Sequence, residues 1–161
     1  MDQDAERIAT WAEAVLPLAT ARLGDEYFYQ SLPLCVIDAV YSIGVRYGGV
    51  QRVVARYCEW SGSRVFRTSR HSLAPIDEQE SITAFSEKAE RVGPVAMADT
   101  VFVNRQRTSS RGGVLNAEAV YRFASVFCAH GVNFFRTFLW QPTTPAWKAT
   151  SGTFPAKGGI L

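Results

Sequence analysis

Histidine, lysine and cysteine are scarce in this chain of 161 residues. His71 and His130 are the only histidines, and no Cys-x-x-Cys or His-x-x-x-His pair occurs, so neither a structural nor a catalytic zinc site is expected. Cys35, Cys58 and Cys128 are odd in number and far apart, which excludes a disulfide scaffold. Cys35 and Cys128 sit in apolar runs and read as buried thiols of a reducing compartment. A membrane-spanning run is also missing. The longest nearly apolar stretch, Leu32 to Val45, is broken by Asp38 and is too short to cross a bilayer. The N-terminus, Met1-Asp2-Gln3-Asp4-Ala5-Glu6, lacks the basic-then-apolar order of a secretory signal, and a cytoplasmic location without membrane association is expected.

What the chain has in quantity is apolar surface and arginine. With 47% hydrophobic and 12% aromatic residues, it has enough material for one packed domain over residues 1–161 and too little for two. The formal charge is +2, yet 14 of the 17 basic residues are Arg and only Lys88, Lys148 and Lys157 are Lys. Arginine suits planar, bidentate contacts to phosphate or carboxylate.

Periodicity is helical almost throughout. Ile8, Trp11, Val15 and Leu18 recur at three- and four-residue steps and predict an amphipathic helix from about Asp4 to Arg22. Ser31 is placed to cap a second helix, Leu32 to about Arg46, with Pro33 in its first turn; its apolar residues on nearly every face mark it as the central helix of a bundle. Gly48-Gly49 are expected to break the chain before a third helix with Val50, Val53, Val54 and Tyr57 on one face and Arg52, Arg56 and Glu59 opposite. Residues 61–76 read as a basic connector. Ile82, Phe85, Ala89 and Val92 carry the next helix, stopped by Gly93-Pro94. Residues 95–103 fit a short helix or a strand, and helical neighbours favour helix. A polar loop then leads to a helix that Asn116 would cap, with Val120, Phe123, Ala124, Phe127 and Cys128 on one face and Gly131 at its end. The expectation is an all-α domain of about seven helices.

Charge is segregated along the chain. Residues 46–70 hold six arginines against Glu59, and residues 105–122 hold Arg105, Arg107, Arg111 and Arg122 against Glu118. Residues 77–90 carry five acids and one lysine. One reading is a positive face that follows a phosphate backbone; the other is a solvated surface whose acidic helix pairs with basic neighbours. Asp38, inside an apolar helix, is expected to be paired or to reach solvent. Cys58 has no histidine near it in sequence, so a thiol-enzyme reading is weak. Near the C-terminus, a Gly-containing turn around Gly152 presents backbone N–H groups of the kind that cradle phosphate.

Three segments carry a family resemblance. The run LPLCVIDAVYSIGVRYGGVQRVVARY from Leu32 to Tyr57 is similar to the opening helices of the helix-hairpin-helix DNA glycosylases, the endonuclease III-like proteins. The segment GVLNAEAVYRFA from Gly113 to Ala124 resembles that family's later helix, and WKATSGTFPAKGG from Trp147 to Gly159 falls where its hairpin begins. The resemblance spans roughly residues 32–161. It implies a multi-helix bundle like the family's six-helix barrel, ending within the hairpin and truncated relative to the family, and binding double-stranded DNA through backbone phosphates. Arg46, Arg105, Arg107, Arg111, Gly152 and Lys157 are the residues it nominates for that contact. The family's catalytic Asp lies one helix beyond the hairpin, past Leu161, so no catalytic residue and no base excision are expected of this chain. No iron–sulfur cysteine loop is present and no cofactor is implied. Gly44 stands where the family often carries Gln, and Asn116 replaces its usual Lys. The alternative reading is a helical interaction module that associates, as a homo-oligomer or with a partner protein, through an uncovered apolar surface at the C-terminus.

Overall fold

The computed structural model describes residues 3–16, 24, 27–43 and 47–139. Among these the regular structure is helical: α1 (Gln3–Val15), α2 (Leu32–Tyr41), α3 (Tyr47–Ser61), α4 (Ile82–Val92), the single turn α5 (Pro94–Ala96), α6 (Asn116–Ala129) and α7 (Phe135–Leu139). A π-helical turn, Met97–Val101, continues directly from α5, and a 3₁₀ turn spans Ile76–Glu78. Extended pairing among the described residues is limited to two isolated antiparallel bridges, Tyr29 with Phe66 and Arg107 with Leu115.

Helix α2 is central, as its apolar sequence requires. Leu32, Pro33, Leu34, Val36, Ile37, Val40 and Tyr41 are all buried, and the helix packs against α3, α4 and α6. Helices α4 and α6 make the closest pair, while α5 and the π-helical turn close over α6 and α3. The core centres on aromatic rings. Tyr57 meets Phe85 edge-on at 5.4 Å and Phe102 at 6.1 Å, and Tyr41 meets Phe102 at 5.3 Å.

Several helix boundaries differ from expectation for local reasons. α2 stops at Tyr41, with Ser42 as its C-cap, and Ile43 is exposed. Gly48-Gly49 do not interrupt the chain; they form the first turn of α3, where Val50, Val53, Val54, Tyr57 and Cys58 bury one face. That burial, worth several kcal/mol, outweighs a propensity cost of about 1 kcal/mol per glycine. Ser31 occupies the N-cap position of α2 but makes no capping bond. The cap of α6 is Leu115, so Asn116 lies inside the helix, 1% exposed. Phe123, expected in the core, is half exposed. Ser81, which the sequence reading does not single out, caps α4 by accepting from the Ala84 N–H at 3.0 Å. Other expectations hold. Residues 94–101 are helical. Gly131, at φ +68°, ends α6 as a Schellman motif: the Val132 N–H bonds the Phe127 carbonyl at 2.9 Å and the Gly131 N–H that of Cys128 at 3.0 Å.

Helix α1 is amphipathic as predicted, but its apolar stripe is uncovered: Ile8 is 66% exposed and Trp11 63%, with Val15 and Leu16 also exposed. Phe85 is fully buried against Tyr57. Phe85→Ala should therefore cost about 3–5 kcal/mol, read as a lower urea midpoint with an unchanged m-value; a loss under about 1 kcal/mol would place the centre of the core elsewhere.

Candidate functional site

Two surfaces concentrate polar chemistry. The first joins α3 to the loop after the π-helical turn. Arg56 extends from α3 and donates through Nη1 to the carbonyls of Phe102 (3.1 Å) and Val103 (3.0 Å). Val103 has φ +47°, a strained conformation for a β-branched residue. The Arg56 guanidinium bonds the two carbonyls that border this strain and so helps hold the turn. Beyond it, residues 106–116 fold back in a short ladder: Asn116 N–H to the Gln106 carbonyl at 2.8 Å, and Thr108 N–H to that of Val114 at 3.0 Å. Gly112 supplies a positive φ of 68°, and a Cβ at Gly113 would collide with the Ser109 backbone.

The arginines that the sequence nominates meet different fates in this loop. Arg105 is ion-paired with Asp99 at 2.6 Å. Arg107 donates to the Gly113 carbonyl at 2.6 Å, which orients the guanidinium without neutralising it. Arg111 is exposed and makes no ion pair among the described residues. Arg46, Gly152 and Lys157 lie outside the described residues, as does the expected C-terminal apolar surface. In the 61–76 connector, Arg67 stacks over the Phe28 ring at 4.8 Å. Among the described residues Arg105, Arg107, Arg111 and Arg122 pair with no acid of 77–90. Lys88–Glu80 stays within its own segment, and Arg122 pairs with Glu118 on α6.

The second surface is a polar cleft of about 610 Å³ between the start of α2, the end of α3 and the segment leading into α4. Sequence reasoning missed it. Gln30 and Ser31, 3% and 1% exposed, line it. The Tyr29–Phe66 bridge fixes Gln30, whose N–H donates to the Val65 carbonyl at 2.9 Å. Its side-chain Nε2 donates to the Glu78 carbonyl (3.2 Å) and carboxylate (3.3 Å), leaving Oε1 buried and unpartnered. Ser31 Oγ and Gln79 Oε1 are likewise buried without partners. Each such atom costs about 1–3 kcal/mol if nothing meets it. Glu80, its side chain 6% exposed, accepts from Lys88 Nζ and from the Tyr57 hydroxyl, each at 2.7 Å. The carboxylates at 77, 78 and 80 were the available signal, counted only as part of the acidic stretch 77–90. Nothing in the pattern around Gln30 distinguishes it.

Among the described residues no group of three His, Cys, Asp or Glu converges to hold a metal. Burial and then the Glu80 charge push the Cys58 thiol up to about 11; burial and then Asp38 do the same for Cys35. Both stay protonated near neutrality, which disfavours thiolate chemistry. No helix is long and apolar enough to cross a membrane among the described residues.

A family model described as DUF8548, a domain of unknown function, matches residues 6–143. No curated protein and no solved structure matches the chain significantly.

Iodoacetamide near neutral pH should leave Cys58 unmodified in the folded chain and label it fully after denaturation, as read by peptide mass spectrometry. Selective labelling of native Cys58 would reinstate a thiol enzyme. Asp38, half-buried and accepting from Ser42 Oγ at 3.1 Å, is raised above the usual carboxylate range by burial, with hydrogen bonds from Ser42 and Tyr29 pulling the other way. The folded chain thus binds this proton more tightly than the unfolded one, so the group erodes stability as pH rises through its titration. Asp38→Asn should gain on wild type in urea midpoint as pH rises above the ordinary carboxylate range of about 4. A gap that widens toward acid would contradict that sign.

Proposed function

The chain belongs to the DUF8548 family, and from that premise we propose that it is a DNA-binding helical domain contacting backbone phosphates through the α3 and 103–113 surface. The observation that carries this reading is the bond from Arg56 to the Phe102 and Val103 carbonyls. It ties two basic segments, some fifty residues apart in sequence, into one surface. These segments contribute Arg52, Arg56, Arg105, Arg107 and Arg111 against Asp99 and Glu59. Of the acidic segment, Glu80 is engaged by Lys88 of the same segment. The sequence resemblance to the helix-hairpin-helix glycosylases makes duplex DNA the ligand of choice. Phosphate binding asks only for oriented, uncompensated cations, and Arg56 and Arg107 are oriented by carbonyls that carry no net charge.

A second reading, a protein-interaction module, is favoured by the exposed stripe of Ile8, Trp11 and Val15 on α1. Its signature is a concentration-dependent mass that persists at high salt, because apolar burial is not screened.

Fluorescence anisotropy on a labelled duplex should show binding at about 50 mM salt that falls with a log–log slope near −3 to −4, as expected for about four phosphates. Arg111→Ala should reduce that slope by about 1, whereas Arg105→Ala should change it less because Asp99 already holds that charge. Both residues are exposed, so neither variant should disturb the core. Absence of binding at low salt, or equal losses in the two variants, would sink the assignment.

A further inference from the structure

A separate cavity of about 250 Å³ lies between the chain from Arg67 to Pro75 and Glu78. Its wall holds one cation, Arg67, and one anion, Glu78, and among the described residues the two form no ion pair. Each is anchored to something else. The Arg67 guanidinium lies over the Phe28 ring at 4.8 Å, and its backbone N–H donates to the Phe28 carbonyl at 3.0 Å. The Glu78 carboxylate accepts from Gln30 Nε2 at 3.3 Å. A ring face attracts a cation but offers its N–H groups no lone pair, and one amide donor leaves most of a carboxylate open. Arg67 Nε is buried, whereas both Nη groups are without a partner and not closed off. The hydroxyls of Thr68 and Ser72 line the same space and make no hydrogen bond among the described residues, while Leu73 and Ala74 add an apolar stretch. The cavity thus keeps two opposite charges apart and leaves both with bonding capacity to spare.

We propose that this cavity binds a small zwitterion, an α-amino acid with a short aliphatic side chain. Its carboxylate meets the Nη groups of Arg67 and the Thr68 and Ser72 hydroxyls, and its ammonium meets the Glu78 carboxylate. A guanidinium fork matches a carboxylate in shape and charge, and an ammonium brings three donors to the oxygens that Gln30 leaves open. The aliphatic side chain falls against Leu73 and Ala74. A simple anion would face Glu78 without compensation, and a simple cation would face Arg67. The volume lies below the range of drug-sized ligands and is ample for a molecule of a few heavy atoms. The site draws on none of the α3 and 103–113 arginines, so it stands or falls independently of DNA binding.

The test is a titration of the full chain with L-alanine, followed by the Arg67 Nε–H and the Thr68 and Ser72 backbone N–H signals in ¹H–¹⁵N NMR. Propionate and ethylamine, each carrying one of alanine's two charges, are the other arms. Saturable shifts with alanine are expected, with each half-ligand weaker by about tenfold or more. Arg67→Gln should abolish binding of alanine and of propionate. Glu78→Gln, at an exposed position where the fold should persist, should weaken alanine about tenfold without weakening propionate. Arg111→Ala should change neither. No saturation by about 10 mM alanine, propionate binding as tightly as alanine, or undiminished alanine affinity in a folded Glu78→Gln chain would each overturn the proposal.

Discussion

The hydrogen bond from Tyr57 to Glu80 is the constraint around which the described structure is arranged. The Tyr57 ring is fully buried among Phe85, Phe102 and Trp60, and a phenol so placed needs a partner for its hydroxyl. Glu80 supplies it at 2.7 Å. A carboxylate whose side chain is only 6% exposed in turn needs a countercharge, and Lys88 reaches it from α4. Burial, followed by the Glu80 charge, raises the tyrosine far above its ordinary value, so it remains a donor at any pH the fold experiences. Through these three residues the core contact of α3 with α4 and the polarity of the cleft become one arrangement. The hydroxyl that closes the core also occupies one oxygen of the cleft's most buried acid.

Helices were legible where a single physical demand decided them. The apolar run of α2 admitted only a central position, and the spacing of Ile82, Phe85 and Ala89 admitted only one buried face. Gly131 ended α6 because the left-handed turn of a Schellman motif favours glycine. Legibility failed where two demands competed. Gly48-Gly49 have poor helix propensity, but the valines and Tyr57 that follow gain more by burial when the helix starts early. Asn116 and Ser31 are good capping residues by chemistry, yet Asn116 is one residue inside its helix and Ser31 caps nothing. A side chain's preference for a cap is worth about 1 kcal/mol. The packing around it is worth more.

The candidate surfaces were legible in charge and illegible in engagement. Counting arginines along 46–70 and 105–122 located a basic excess, and no local pattern tells that Arg67 lies on a ring, Arg105 on Asp99 and Arg107 on its own loop. The bridge between residues 107 and 115 sets the partner of Arg107, and the bridge between Tyr29 and Phe66 brings Arg67 to Phe28. Arg56 could be assigned only to the polar face of its helix; its carbonyl partners lie forty-six and forty-seven residues away. Gln30 is the extreme case. It is uncharged and unpatterned, and its importance comes wholly from a bridge to Phe66 and an amide pinned by Glu78.

On the DNA-binding reading, the internal bonds of the arginines improve the surface rather than consume it. An ion pair such as Arg105–Asp99 cancels charge and removes a cation from the count that salt dependence measures. A bond to a carbonyl does not. Arg56 commits one Nη amino group to two carbonyls and Arg107 one to a single carbonyl, and both keep the remaining donors of the guanidinium fork, together with the full charge. They also forgo part of the rotamer freedom that a free arginine loses on meeting a phosphate, a cost of about 1–2 kcal/mol per side chain. The strained Val103 fits the same logic. A turn held in an unfavourable backbone conformation by Arg56 fixes where the following loop departs from α3, and with it where Arg107 and Arg111 stand relative to Arg52. Folding stability is spent at one residue so that a set of like charges is held at defined spacing, which those charges would otherwise oppose by repulsion.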